Sequence, residues 1–376
     1  MTQSLRPTPE SAPETAPRRL PVARPWAPPA EAILPYLHEA DANRWYSNFG
    51  PLLTRFEERL ADRFAAPTNI ATCANATQAI TLTLKALGVQ PGLCLMPAWT
   101  FVATAHAAMA AGLTPHFLDV DPQTQVPSPA DVRAAIAKGG VSAVIVVAPY
   151  GAPLEHRPWE ALMDATGVPV LIDAAAAFDT VTRASLPTLV SLHATKLLGV
   201  GEGGYLACED ADLVARVRAQ TSFGFQGSRE SLVPATNAKL SEYAAAVGLA
   251  ALDGWPSARL RYAITAQKIR LALALVPEIN FQPGWGTHWV STTCIVRIDG
   301  GGAPLLEASL AESGVDTRRW WGGGCQASPA FAGCPSDPLP VTTKLARETL
   351  GLPFAADMDE DDIDWLACAV IQAVRG

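Results

Sequence analysis

Between residues 68 and 208, short runs rich in β-branched residues alternate with stretches of helical periodicity. No other feature of the chain restricts its fold as much. Segments 70–73, 93–96, 116–120, 141–148, 168–172, 189–193 and 205–208 read as strands. Helices are expected between them, over 77–87, 102–111, 129–138 and 158–165. In the first of these, Ile80, Leu84 and Leu87 recur at helical spacing. Ser128 is an expected N-cap ahead of Pro129, and Gly139 closes that helix. The run 141–148 is apolar apart from Ser142, as suits a strand whose two faces are both covered in a parallel sheet. Strands regularly spaced by helices of this length predict an α/β sheet with helices on both faces.

The pattern changes after residue 240. Two long helical stretches run to about residue 276, with a break expected at Asp253-Gly254-Trp255-Pro256. A strand over 292–298, a turn at Gly300-Gly301-Gly302 and a last helix near 361–374 suggest a smaller α+β domain. Residues 1–30 carry eight prolines and few large apolar side chains, so an extended or disordered tail is expected. The expected division is a tail over 1–30, a large domain over 31–252 and a small C-terminal domain over 253–376.

Composition narrows the function. Hydrophobic residues make up 49% of the chain and charged residues 17%, enough apolar mass for a sizeable core. A net charge of −8 argues against a nucleic-acid partner, since a phosphate backbone would be repelled overall. The most strongly apolar segment, 141–148, is too short to cross a bilayer, so no membrane partner is expected. The seven cysteines include no CxxC pair, and neither they nor the six histidines show metal-ligand spacing. Reduced thiols, a cytoplasmic location and no metal follow as expectations.

The residues that can do chemistry cluster at strand ends. Lys196 follows an apolar strand among hydroxyls and glycines, in Ser191-Leu192-His193-Ala194-Thr195-Lys196. Most lysines in such loops are solvated, but a desolvated one can form a Schiff base with pyridoxal phosphate. Asp173 ends another apolar strand, at the carboxyl edge where open α/β sheets bind ligands. It could hold a pyridine nitrogen or simply cap a helix. Asn75-Ala76-Thr77-Gln78 stands where a strand meets a helix, so its amides and the Thr77 hydroxyl can receive a phosphate or serve as ordinary caps. Ser191 is a second hydroxyl candidate. Trp99 and Phe101 flank Thr100 at a strand end, where an aromatic ring could stack on a cofactor or belong to the core. Gly199, Gly201 and Gly204 spell a dinucleotide fingerprint, but they precede a strand rather than open a helix, and that reading is rejected.

These segments together resemble the DegT/DnrJ/StrS family of pyridoxal-phosphate-dependent sugar aminotransferases. The resemblance rests on Ser47-Asn48-Phe49-Gly50-Pro51 with Glu57, on Gly88 to Ala105, and on Ser191 to Lys196 followed by Gly201 to Gly204. It implies the aspartate-aminotransferase-like fold type I, with a mainly parallel seven-stranded sheet and a smaller C-terminal α+β domain. It implies pyridoxal 5′-phosphate as cofactor, with Lys196 as the Schiff-base lysine and proton shuttle and Asp173 against the ring nitrogen. Ala76, Thr77 and Ser191 would hold the phosphate, and Phe101 would stack on the ring. Asn237 and Lys239 would reach the phosphate of a neighbouring subunit, which implies a homodimer with shared sites. His193, Trp99 and Lys239 are candidates for substrate contact.

The chain departs from the family at Ala176, where a side chain touching the cofactor's ring hydroxyl is usual. The activity implied is transfer of an amino group from an amino acid, with glutamate as the expected donor, to a nucleotide-linked keto-sugar. The alternative implied by Ala176 and the tail is a pyridoxal-phosphate-binding regulatory or scaffold protein without turnover.

Overall fold

The architecture follows from where each apolar run can be covered. In the computed structural model, which describes residues 18–375, two helices come first, α1 (Ala30–Asn43) and α2 (Pro51–Ala61). The alternating region then gives β1 (Asn69–Cys73), α3 (Ala76–Ala86), β2 (Leu93–Pro97), α4 (Val102–Ala110), β3 (Thr114–Leu118) and α5 (Pro129–Ala137). It continues with β4 (Val141–Val147), α6 (Arg157–Thr166), β5 (Val170–Asp173), β6 (Thr188–Ser191), β7 (Gly204–Cys208) and α7 (Ala211–Thr221). Beyond lie α8 (Glu242–Ala272), β8 (Ile279–Phe281), β9 (Cys294–Ile298), α9 (Ala303–Glu312), α10 (Pro340–Glu348), β10 (Thr349–Leu352) and α11 (Glu360–Arg375).

The first seven strands form one sheet in the order β1-β7-β6-β5-β4-β2-β3. Only β7 runs antiparallel to its neighbours; the other pairings are parallel. Apolar layers cover both faces, with Val144, Val146, Ile172 and Val190 on one and Ala143, Ile145, Leu171 and Leu189 on the other. That two-sided burial is why β4 and β5 carry no polar alternation. Strands β8–β10 make a second, antiparallel sheet in the order β10-β9-β8. Ser128 caps α5 as expected, accepting the amides of Ala130 and Asp131.

Two expectations are corrected. The break at 253–256 does not exist: α8 runs unbroken through Pro256 and across the boundary expected near residue 252. A proline inside a helix costs about 3 kcal/mol. Against that, α8 buries Leu249, Leu252, Trp255, Tyr262 and Ile269 along one stripe, each large side chain worth roughly 1.5–3 kcal/mol. Trp255 stands edge-on to Phe178, with ring centroids 4.9 Å apart. Ser241 adds an N-cap by accepting the amide of Ala244.

The second correction concerns the tail. Residues 18–29 are ordered: Leu20 is buried and its backbone pairs with Gly314 and Asp316, while Val22 accepts the amide of Phe354. Single backbone pairings and one apolar anchor hold this segment, and proline-rich composition does not forbid either. The remainder of the expected tail, residues 1–17, lies outside the described residues.

Candidate active site

The ends of β4, β5 and β6 and the starts of α3 and α4 converge on a single cavity of about 490 Å³. Asp173 is the last residue of β5 and is 5% exposed. Thr104, on α4, donates to Asp173 Oδ2 at 2.7 Å, and the Ala175 amide donates to Oδ1 at 3.1 Å. Because Thr104 spends its proton on the carboxylate, its oxygen is left to accept from Thr100, 3.0 Å away. Burial pushes the Asp173 carboxyl above its ordinary range, and these two hydrogen bonds and the Lys196 ammonium act in the opposite sense.

Lys196 sits in the loop that follows β6, half-buried in the cavity wall. That loop folds back on itself: Ala194 N–H donates to Gly201 O at 2.7 Å and Lys196 N–H to His193 O at 2.8 Å. Gly199 permits the turn, since a Cβ there would come within 2.8 Å of Ala194 O, and Gly201 holds a φ of +97°. Burial lowers the pKa of the Lys196 amine, and the charge of Asp173 raises it. The opposing shifts mark an amine and a carboxylate that feel each other inside one cavity.

The anion site is built from β1, α3 and β7. Asn75 caps α3 by accepting the amide of Gln78 at 2.9 Å. The first amides of the helix, on Ala76 and Thr77, have no partner within it and line the cavity. Gly204 is what lets β7 lie against this turn: a Cβ there would fall 2.4 Å from Ala76 N. The glycines that mimic a dinucleotide motif therefore fold the lysine loop and admit the helix start. Ser191, at the end of β6, lines the same cavity and accepts the His193 amide at 3.2 Å.

Of the other expected residues, Phe101 is the N-cap residue of α4 and is 57% exposed at the cavity. His193 lines the cavity; its Nδ1 accepts the Thr195 amide at 3.2 Å, which leaves Nε2 to carry the proton toward Glu202. Trp99 is a correction: it lies behind the wall, buried, with its indole donating to Gln125 at 3.2 Å. Asn237 and Lys239 lie outside this cavity, where the Lys239 ammonium donates to Asn237 Oδ1 at 2.7 Å. Ala176 lines the cavity and offers no polar side chain.

Sequence reasoning missed Thr104, whose signal was its place four residues after Thr100 on a helix that starts at the sheet edge. It also missed Arg318 and Ala23-Arg24-Pro25, which close the cavity from the far side. Among the described residues, no three His, Cys, Asp or Glu side chains converge as metal ligands. No helix among them is long and apolar enough to cross a membrane.

A buried carboxylate, a desolvated lysine and a helix start with open amides fit one cofactor chemistry, that of pyridoxal 5′-phosphate held in fold type I. The sequence model of the DegT/DnrJ/EryC1/StrS aminotransferase family matches residues 29–374, and the chain belongs to that family. It is a pyridoxal-phosphate-dependent aminotransferase. The protein Rv3402c of Mycobacterium tuberculosis (strain ATCC 25618 / H37Rv) is 30% identical, over 95% of this chain and 91% of its own. The dTDP-4-amino-4,6-dideoxy-D-glucose transaminase of Escherichia coli is 28% identical, over 91% of this chain and 95% of its own. The crystal structure of DesI in the presence of its TDP-sugar product superposes with a TM-score of 0.87 at 34% identity, over 95% of this chain and 94% of that one.

Proposed function

We propose that this aminotransferase moves an amino group from an amino acid, with glutamate as donor, to the ketone of a nucleotide-linked keto-sugar. The observation that carries the chemistry is the joint burial of Lys196 and Asp173 in the cavity reached by the α3 amides. The acceptor class draws support from relatives named as transaminases of dTDP- and UDP-linked sugars.

In this reading Ala76, Thr77 and Ser191 hold the phosphate, Asp173 keeps the ring nitrogen protonated, and Phe101 covers the ring. Lys196 attaches the cofactor through Nζ. Pyridoxal phosphate supplies an electron sink for the carbanion left when the donor's α-proton is removed. Lys196 carries that proton on Nζ, and burial suits it to do so by favouring the neutral amine. Thr104 and the Ala175 amide fix the orientation of Asp173. The exchange balances: the donor amino acid leaves as its oxo-acid and the sugar ketone leaves as an amine.

Homodimer formation belongs to the same proposal. Asn237 and Lys239 lie outside their own cavity, with the Lys239 ammonium over the exposed Phe223 ring, where they are available to a second subunit. A cytoplasmic site is proposed with it; all seven cysteines are unpaired.

The test pairs a variant with a substrate panel. Lys196→Ala should lose turnover by at least about 10³-fold, and borohydride reduction should no longer leave cofactor mass on the protein. A variant that keeps both would overturn the assignment of Lys196. Wild-type enzyme should aminate at least one member of a set of dTDP- and UDP-linked keto-sugars, with glutamate preferred over glutamine. Amination of none would remove the acceptor class.

A further inference from the structure

The cofactor cavity adjoins a second hollow of about 340 Å³, and the two share Thr100, Phe101, Trp320 and Trp321 as walls. The annex has a bare floor of Gly322, Gly323 and Gly324 and no charged side chain in its lining. Its aromatic wall is fixed from behind. Trp321 stacks on Tyr150, with centroids 3.9 Å apart and planes 14° from parallel, and meets the edge of Trp99 at 5.4 Å. The Trp320 indole lies against Gly351, where a Cβ would come within 2.4 Å of Nε1.

Arg318 stands at the main cavity, with its guanidinium 4.8 Å from the centre of the Trp320 ring. It is exposed and has no carboxylate partner among the described residues, unlike Arg24, which bonds two aspartates. A guanidinium stacked on an indole keeps its edge N–H groups directed outward, in the fork that suits phosphate oxygens. The uncharged, aromatic, glycine-floored hollow beside it suits a flat ring.

We propose that Arg318, Trp320 and Trp321 form the subsite for the nucleotide carrier of the acceptor. Arg318 pairs with the diphosphate, and the base lies against the tryptophan wall over Gly322–Gly324. This inference rests on the nucleotide-linked reading of the acceptor and adds to it the residues that recognise the carrier.

The test is calorimetric titration of the cofactor-loaded enzyme with dTDP and with UDP at two salt concentrations. Arg318→Ala should weaken whichever nucleotide binds by about ten- to a hundredfold, as loss of a charge-assisted contact implies, and should flatten the salt dependence. Trp321→Leu should weaken the same nucleotide while leaving inorganic pyrophosphate unchanged. Should that variant fail to fold, Trp320→Leu probes the same wall. If the wild type binds nucleotide but Arg318→Ala and Trp320→Leu match it within about twofold, this subsite is wrong and the acceptor class stands. If the wild type binds neither nucleotide, the acceptor reading falls and takes the subsite with it.

Discussion

Asp173 and Lys196 are each penalised as ions by burial, and each partly relieves the other. The arrangement remains costly for the cofactor-free fold, and a cationic ring beside Asp173 would offset part of the remainder. Its sign can be followed with pH. Asp173 has a native pKa above its ordinary 3.8, so its contribution to stability is fully present below that value and is lost as pH rises through the native pKa. In Asp173→Asn that loss disappears. Removing the carboxylate also lowers the Lys196 pKa further, and the resulting penalty fades as pH rises, in the same direction. We therefore expect cofactor-free Asp173→Asn to gain melting temperature relative to wild type over the interval in which pH rises from the ordinary carboxylate value of 3.8 through the raised native pKa, although turnover collapses. A gap that shrinks or reverses over that interval would contradict the account.

The elements divide by what the sequence could announce. Strands β1 to β7 were legible because burial on both faces of the sheet leaves apolar runs with little polar alternation, as in residues 143–147 of β4. Helix α8 was misread because Gly and Pro report local cost, whereas its continuity is decided by a buried stripe formed with distant partners such as Phe178. The Gly204 contact was illegible for a similar reason: the motif says only that glycines are present, and the reason is Ala76 on another element.

That contact makes a sharp prediction. Gly204→Ala must move the first turn of α3 away from β7, because the atoms within 2.7 Å of the new Cβ are backbone. We expect a stability loss of about 1–3 kcal/mol and cofactor affinity reduced by about tenfold, as the Ala76 and Thr77 amides shift. Gly254→Ala is the contrast. Gly254 is exposed on α8 and nothing lies within 4 Å of its Cβ position, so the change should stabilise by roughly 0.5–1 kcal/mol with affinity unchanged. Thermal melts and cofactor titration of both variants decide the matter.

At the scale of the molecule, the cavity is completed by a segment far from it in sequence. Residues 18–25 run along α11 and the end of β10, and Ala23, Arg24 and Pro25 form one wall of the site. The clasp is electrostatic. Arg24 reaches Asp357 at 3.1 Å and Asp362 at 2.9 Å, while Arg18 takes the other Asp362 oxygen at 3.0 Å. Composition could not reveal this, because one buried leucine and a few backbone pairings are enough to order a strap that looks unable to bury anything. Asp362 is buried, so Arg24→Ala leaves its carboxylate with Arg18 as its remaining basic partner, at a cost of about 1–3 kcal/mol. Because Arg24 also shapes the cavity, KM for the acceptor should rise more than kcat falls. Arg19 pairs with Asp316 on the exposed side of the same strap, away from the cavity lining. Arg19→Ala should therefore cost less than about 1 kcal/mol and leave KM unchanged. Equal effects of the two variants on KM would mean that the strap holds the fold without shaping the site.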